Sequence, residues 1–241
     1  MTQPSHLLID ADMLLFGNSV AVEKLIDWGD DVWTYYSDLK DAKAALQNAL
    51  ATLEDDTGIS QGSMTMCISD AVNFRYEVCD TYKSNRKNTR KPMVYKPLKA
   101  WLEDNFDCIS YPKLEGDDVI GILSERPGVG ILSGDKDLKQ ITGFHWDGDD
   151  WEYVSEADGD RFFLYQVLNG DRQDGYSGCP GVGPVSADRI LDKDCSWEAV
   201  VAAYEKKGLT EADALIVAHQ ARILRPGEYH FENKEPLLWQ P

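Results

Sequence analysis

Three short apolar runs, far apart in the chain, each lead into an aspartate. They are His6-Leu-Leu-Ile-Asp10, Met64-Thr-Met-Cys-Ile68 with Asp70 just beyond, and Val129-Gly-Ile-Leu132 followed by Ser133-Gly-Asp135. Short aliphatic runs bounded by Gly, Pro or acid read as buried strands of a parallel sheet. Ligands of open α/β sheets bind outside the carboxyl ends of the strands, so acids at three such ends converge on one place. One strand-end aspartate is usually a turn residue, but three in one chain point to a site. The expected fold class is α/β, a mostly parallel central sheet flanked by helices.

The stretch from Glu115 to Asp137 sharpens this. Glu115-Gly-Asp117-Asp118 opens a helical pattern (Val119, Ile120, Ile122, Leu123), and Asp135 and Asp137 follow the third strand. Acids in a first helical turn suit the helix dipole, and a solvated acidic face is the plainer explanation for them. At about 4 Å, in an effective dielectric near 20, two carboxylates repel by roughly 4 kcal/mol. Helix start and strand end face the same space, so a cation is expected to hold the cluster together, and magnesium suits carboxylates that leave room for water and phosphate.

The net charge of −18 disfavours nucleic acid as a partner, yet its distribution favours it. Between Asp80 and Glu103 there is no acid, while Lys83, Arg86, Lys87, Arg90, Lys91, Lys96 and Lys99 fall there, seven of the 24 Lys and Arg residues. Such a local positive patch is the footprint of a polyanion site. If helical, Tyr82-Lys83-x-x-Arg86-Lys87-x-x-Arg90-Lys91 would form one cationic stripe. The five cysteines include no CxxC pair, which argues against a disulfide framework or zinc site. No apolar run is long enough to span a membrane and residues 1–6 lack the parts of a signal peptide, so a cytoplasmic protein is expected.

Elsewhere the pattern is helical. Ser37 caps an expected helix with Leu39, Ala42, Leu46, Leu50 and Leu53 on one face and Gly58 as its stop, and Leu164–Leu168 is expected to be a short helix before Gly170-Asp171 and Asp174. Trp146 to Phe163 reads as hairpin and loop. Gly178-Cys-Pro-Gly181-Val-Gly183-Pro184 is a turn that lets backbone approach phosphate at a helix start, although a tight helix connector fits it as well. Ser196 and Thr210 cap two further helices, the second running to Leu224. Asp10-x-Asp12 after a strand also opens dehalogenase-type phosphotransferases, with Asp10 as nucleophile. A non-catalytic DNA-binding accessory protein is the other alternative.

Taken in order, these motifs resemble the flap-endonuclease or 5′-nuclease family, most closely the compact 5′–3′ exonucleases of short-tailed bacteriophages. The motifs are Ile9-Asp10-Ala-Asp12, Asp70 with Arg75, Tyr82-Lys83-x-Asn85-Arg86, Glu115-Gly-Asp117-Asp118, Ser133-Gly-Asp135-x-Asp137, and Gly170-Asp171-x-x-Asp174 ahead of Pro180-Gly181-Val-Gly183. The resemblance implies a PIN/5′-nuclease-like core over 1–145, with a basic arch at 74–97. Over 146–241 it implies a helix–two-turn–helix and a C-terminal helical DNA-binding region. It implies two Mg2+ ions, for which Mn2+ can substitute. Asp10, Asp70, Glu115, Asp117 and Asp118 would serve the first, and Asp135, Asp137, Asp171 and Asp174 the second.

Lys83 and Arg86 would be catalytic beside the acids. Arg75, Tyr82, Lys83, Arg86, Lys87, Arg90, Lys91, Gly178, Gly181 and Gly183 would touch nucleic acid, and the turn could take a monovalent cation. The implied activity is two-metal hydrolysis of duplex DNA with 5′ ends or flaps, extending to RNA–DNA hybrids and leaving 5′-phosphorylated products. The protein would work as a monomer, in the host cytoplasm if phage-encoded. Asp12 is an acid where many relatives have none, and its role is left open.

Overall fold

A computed structural model describes residues 3–86 and 89–241. Strand β1 (His6–Asp10) passes directly into helix α1 (Ala11–Ala21), because Asp10 is both the last strand residue and the helix cap, accepting from the Met13 amide at 3.1 Å. A hairpin of β2 (Lys24–Asp27) and β3 (Trp33–Tyr36) follows. In α2 (Leu39–Thr57) the buried positions Ala42, Leu46 and Leu50 recur every fourth residue, and Gly58 stops the helix at φ 70°. The cap is Asp38 rather than the expected Ser37, since its carboxylate takes the Lys40 amide at 2.7 Å.

Next come β4 (Met64–Cys67), the single turn α3 (Arg75–Val78), α4 (Tyr95–Asn105), β5 (Asp107–Ile109), α5 (Gly116–Leu123) and β6 (Val129–Leu132). The strands β7 (Gly143–Trp146) and β8 (Trp151–Val154) form an antiparallel hairpin. The expected core boundary at 145 falls inside it, and the helical part begins with α6 (Glu156–Asn169), capped by Ser155. That helix is longer than the expected Leu164–Leu168. Two short strands, β9 (Gly170–Asp171) and β10 (Tyr176–Ser177), lead to α7 (Pro184–Lys193), α8 (Trp197–Glu205) and α9 (Glu211–Ala221). Ser196 and the Thr210–Asp213 capping box start the last two as expected, but α9 ends at Ala221, where Arg222 turns extended. The tail adds β11 (Tyr229–His230) and β12 (Glu235–Pro236).

The central sheet has the order β5-β4-β1-β6-β7-β8, parallel except for its last strand. From β1 the chain steps outward to β4 and β5, then crosses back to β6 and leaves the other way. The strand order therefore reverses between β1 and β6, and the reversal opens a crevice above their carboxyl ends, where Asp10 and Asp135 sit. Leu7, Ile9, Leu15, Leu46 and Leu98 fill one face of the sheet, against α1, α2 and α4. Leu8, Val119, Ile120 and Ile131 fill the other, against α5 and the stretch after α9.

A third core, including Val167, Leu168, Val200, Tyr204 and Ala218, joins the C-terminal helices. The helical part is fastened to the core where α5 meets Leu224. A Cβ on Gly121 would lie 2.1 Å from the Leu224 carbonyl oxygen, so only glycine allows that approach. No helix among the described residues is long and apolar enough to cross a membrane.

Candidate active site

Above the β1/β6 carboxyl ends lies a cleft of about 660 Å³, lined by Asp10, Asp12, Glu115, Asp117, Asp135, Lys83 and Arg86. A second hollow of about 600 Å³ continues it past Asp135 to Lys136 and Gln173. Each acid arrives by a local rule. Asp10 caps α1 and accepts the Ser133 hydroxyl at 3.1 Å. Asp135 caps the 3₁₀ turn Lys136–Gln140 through the Asp137 amide at 2.9 Å. Glu115 caps α5 reciprocally with Asp118.

Burial, with Asp12 and Asp135 nearby, pushes the Asp10 carboxyl up to about 6. Asp117 is driven well above the carboxylate range by burial and by Asp10, Asp135 and Glu115, and its Oδ1 is buried without a hydrogen-bond partner. Burial would raise Glu115 as well, but Lys83 and Arg75 overcome it and hold the group at about 2.

The cations of the site are bound to its acids. Lys83 Nζ lies 2.6 Å from Glu115 and 3.5 Å from Asp174, and Arg86 donates to Asp174 at 2.8 Å. The Tyr82 hydroxyl lies 3.1 Å from a carboxylate oxygen of both Glu115 and Asp174, which share its single proton. Lys136 holds Asp137 and Asp171 together. Burial and Asp135 lift Asp137 to about 6 in spite of that lysine. Burial would raise Asp171, but Lys136 with the Gln173 and Asp174 amides lowers it on balance, and Asp174 is raised by burial and Glu115. The basic segment is thereby stapled to the C-terminal part: Asn85 donates to the Arg172 and Gln173 carbonyls, and Arg86 to Gln173.

Among the described residues no three His, Cys, Asp or Glu side chains are gathered closely enough to hold a metal ion, and Lys83, Arg86 and Lys136 lie against Glu115, Asp174 and Asp171. The donors nevertheless fit a hard divalent cation. They are all carboxylate oxygens, and the Asp117 oxygen left without a partner is one such a cation would satisfy.

Several expected site residues lie elsewhere. Asp118 is fully buried in a two-point ion pair with Arg75, both contacts 2.7 Å, so it faces the interior and not the cleft. Arg75, expected on nucleic acid, is buried with it and also donates to the Gln220 carbonyl at 3.0 Å. Tyr82, likewise expected on nucleic acid, is a buried pillar between the two parts of the site. Asp70 does not line the cleft: its two oxygens accept the amides of Ala71 at 2.7 Å and Lys113 at 2.8 Å.

Among the described residues of the stripe, 82–86 and 89–91, Lys83 is left-handed at φ 48° and Ser84–Arg86 make a 3₁₀ turn, in place of the expected α-helix. Arg90 is turned away to Glu23 and lies over the Tyr35 ring at 3.8 Å, while Lys91 lines the cleft and Lys87 lies outside the described residues. Gly178, Gly181 and Gly183 form the turn before α7. Beside α7 and α8 is a hollow of about 430 Å³ whose lining includes Arg189, Lys193, Lys206 and Lys207. Sequence reasoning missed these four, although Arg189 and Lys193 stand one helical turn apart. It also missed Lys136.

Fold and cleft together define a 5′ nuclease, and the chain belongs to the 5′–3′ exonuclease family: residues 6–156 match that family's N-terminal resolvase-like domain. The family expected from the motifs is the one found. The exodeoxyribonuclease of Enterobacteria phage T3 is 31% identical to it, with 98% of this chain and 92% of the relative covered. The exonuclease of Escherichia phage T7 is also 31% identical, over 98% and 93%. In fold it is similar to the bacteriophage T5 flap endonuclease in a complex with DNA and metal ions (TM-score 0.66, 13% identity, 88% of this chain and 86% of the other). The Rad2 catalytic core in complex with DNA substrate is a further structural relative (TM-score 0.58, 16% identity, 86% and 66%).

Proposed function

We propose that the protein removes nucleotides from 5′ ends or flaps of duplex DNA by divalent-metal-assisted phosphodiester hydrolysis. The observation that carries this is the cleft itself, lined by Asp10, Glu115, Asp117 and Asp135 together with Lys83 and Arg86. Asp10, Glu115, Asp117 and Asp135 would hold one Mg2+ or Mn2+ ion and Asp137, Asp171 and Asp174 another, supplying a more acidic water and neutralised leaving-oxygen charge. Asp135 and Asp137, two residues apart, would tie the two groups together. The T5 relative with DNA and metal ions supports both the cation and the substrate.

The chain's own cations do the rest. Lys83 and Arg86 are held by acids that a bound cation would relieve, which frees their N–H groups to donate to the phosphoryl oxygens. Preorganised donors of this kind contribute about 10²–10³ in rate. The Gly178–Gly183 turn and the Arg189, Lys193, Lys206 and Lys207 face of the helical part that begins with α6 would grip the duplex backbone, and the turn is where a monovalent cation would bind. All these contacts are to phosphate, so RNA–DNA hybrids belong to the substrate class. A net charge of −18 favours a monomer, and the phage relatives favour the host cytoplasm as the place of action. Asp10 as a covalent nucleophile has less support, because the family model that residues 6–156 match is that of a 5′–3′ exonuclease.

The test is a duplex labelled at either 5′ or 3′ ends, incubated in Mg2+ with and without EDTA. Early release of the 5′ label alone, abolished by EDTA, is expected, and loss of the 3′ label first would refute the polarity. Asp135→Ala should remove cleavage while DNA binding in Ca2+ persists. For Lys83→Ala the single-turnover rate should fall about 10²–10³-fold, with the dissociation constant for DNA nearly unchanged.

A further inference from the structure

We propose that the β2–β3 hairpin, with Glu23 at its base, is a clasp that grips Arg90 and so positions Lys91 against the cleft, an inference that rests on the nuclease reading above. Among the described residues the hairpin contributes to none of the three apolar cores, and its Leu25, Trp33 and Tyr35 are about half exposed. Burial therefore does not account for it. What it does hold is Arg90. The guanidinium donates to Glu23 from both terminal nitrogens, one of them at 3.0 Å, and lies 3.8 Å over the Tyr35 ring. Glu23 also accepts the Met93 amide at 2.9 Å, and its side chain is only 9% exposed. A lone exposed ion pair orders little. Here a two-point guanidinium, a backbone amide and an aromatic face act on one short stretch, and such contacts reinforce one another.

Between the two anchored points lies Lys91. Arg90 turns to the hairpin and Lys91 to the cleft, where Thr89 also belongs to the lining and the Lys91 ammonium lies 4.3 Å from the Tyr95 ring. The Tyr95 hydroxyl in turn donates to Asp12 at 2.8 Å. Glu23 follows directly on α1, the helix that starts at Asp10 and carries Asp12 in its first turn. One rigid element therefore sets the place of the acids and, through the clasp, the place of the lysine facing them. A cation held in position before the substrate arrives avoids the cost of ordering a free segment around the phosphate.

Single-turnover cleavage of a 5′-flap duplex in Mg2+, measured beside the dissociation constant for the same DNA in Ca2+, tests the positioning. Glu23→Gln and Arg90→Gln should each slow cleavage about fivefold with little change in binding, and the double variant should be no slower than either, because both break one contact. Additive losses, or no loss in Glu23→Gln, overturn the proposal. So does the pattern of a direct phosphate contact, in which Arg90→Gln weakens DNA binding and Glu23→Gln, by freeing the guanidinium, tightens it. Tyr35→Ala should slow cleavage and Tyr35→Phe, which keeps the ring, should restore it; equal losses in the two overturn the proposal, and this pair decides should Glu23→Gln fail to fold by circular dichroism. Without DNA, trypsin should cut after Arg90 about fivefold faster in Glu23→Gln than in the unaltered protein, since an ordered segment resists the protease, and equal rates overturn the clasp. An unaltered protein that cleaves no flap in Mg2+ overturns the nuclease reading instead, which the trypsin experiment tells apart.

Discussion

Asp117 and Asp118 are adjacent in sequence and opposite in role. Successive helix residues point about 100° apart, so one carboxylate faces the cleft and the other the interior, where Arg75 meets it. Nothing in Glu115-Gly-Asp-Asp tells which is which, because the deciding partner is supplied from another part of the chain. The same ignorance misplaced Arg75, since a count of cations does not distinguish those turned inward; its buried neighbour Phe74 was the available hint. Asp10 and Asp135 were legible because a strand end fixes position without needing a partner. Arg75→Ala should cost about 3–5 kcal/mol by leaving Asp118 buried and uncompensated, measured as a lower urea midpoint. An apolar double replacement of Arg75 and Asp118 should recover much of that loss.

Among the elements, α2 and the parallel strands β1, β4 and β6 were readable from periodicity alone, because each has a single face or run to bury, whereas the parallel strand β7 was not anticipated. The β2–β3 hairpin was not. Its Trp33, Tyr35 and Tyr36 are all exposed, and it turns through Gly29, Asp30 and Asp31 in left-handed conformations, so no core-facing pattern marks it. The cationic stretch misled for a related reason: its regular spacing suggested a helix, but the donors of Asn85 and Arg86 are taken by the 172–174 loop. Helix α5 supplies a test at this scale. Gly121→Ala gains about 1 kcal/mol of helix propensity, yet the new methyl meets a backbone oxygen that no rotamer can move. Overpacking of that kind costs about 1–3 kcal/mol or more, so thermal unfolding should show a net loss, and a more stable variant would contradict the packing described.

Across the whole molecule the acids of the cleft make stability depend on pH. Asp10 and Asp137 titrate near 6 in the folded chain, against an ordinary value of 3.8. The folded state therefore holds more protons than the unfolded one between about pH 4 and 6, and stability falls as pH rises through that window. Glu115 acts in the opposite sense, its contribution being lost only as pH falls from about 4.5 towards 2. In EDTA the melting temperature should drop between pH 4 and 6, and Mg2+ should restore it at pH 7 by binding the folded state. A melting temperature that rises over that interval in EDTA would contradict the burial of these acids.

Because Asp171, Asp174 and Leu224 all follow the family's N-terminal domain in sequence, a chain still emerging from the ribosome has the floor of the cleft but not its far wall. Arg86 then lacks its anchor, Lys83 keeps only Glu115, and α5 is without its contact to Leu224. The nascent enzyme is thus expected to be inert towards nearby DNA until its last helices are released, a delay built into the order in which the residues are translated.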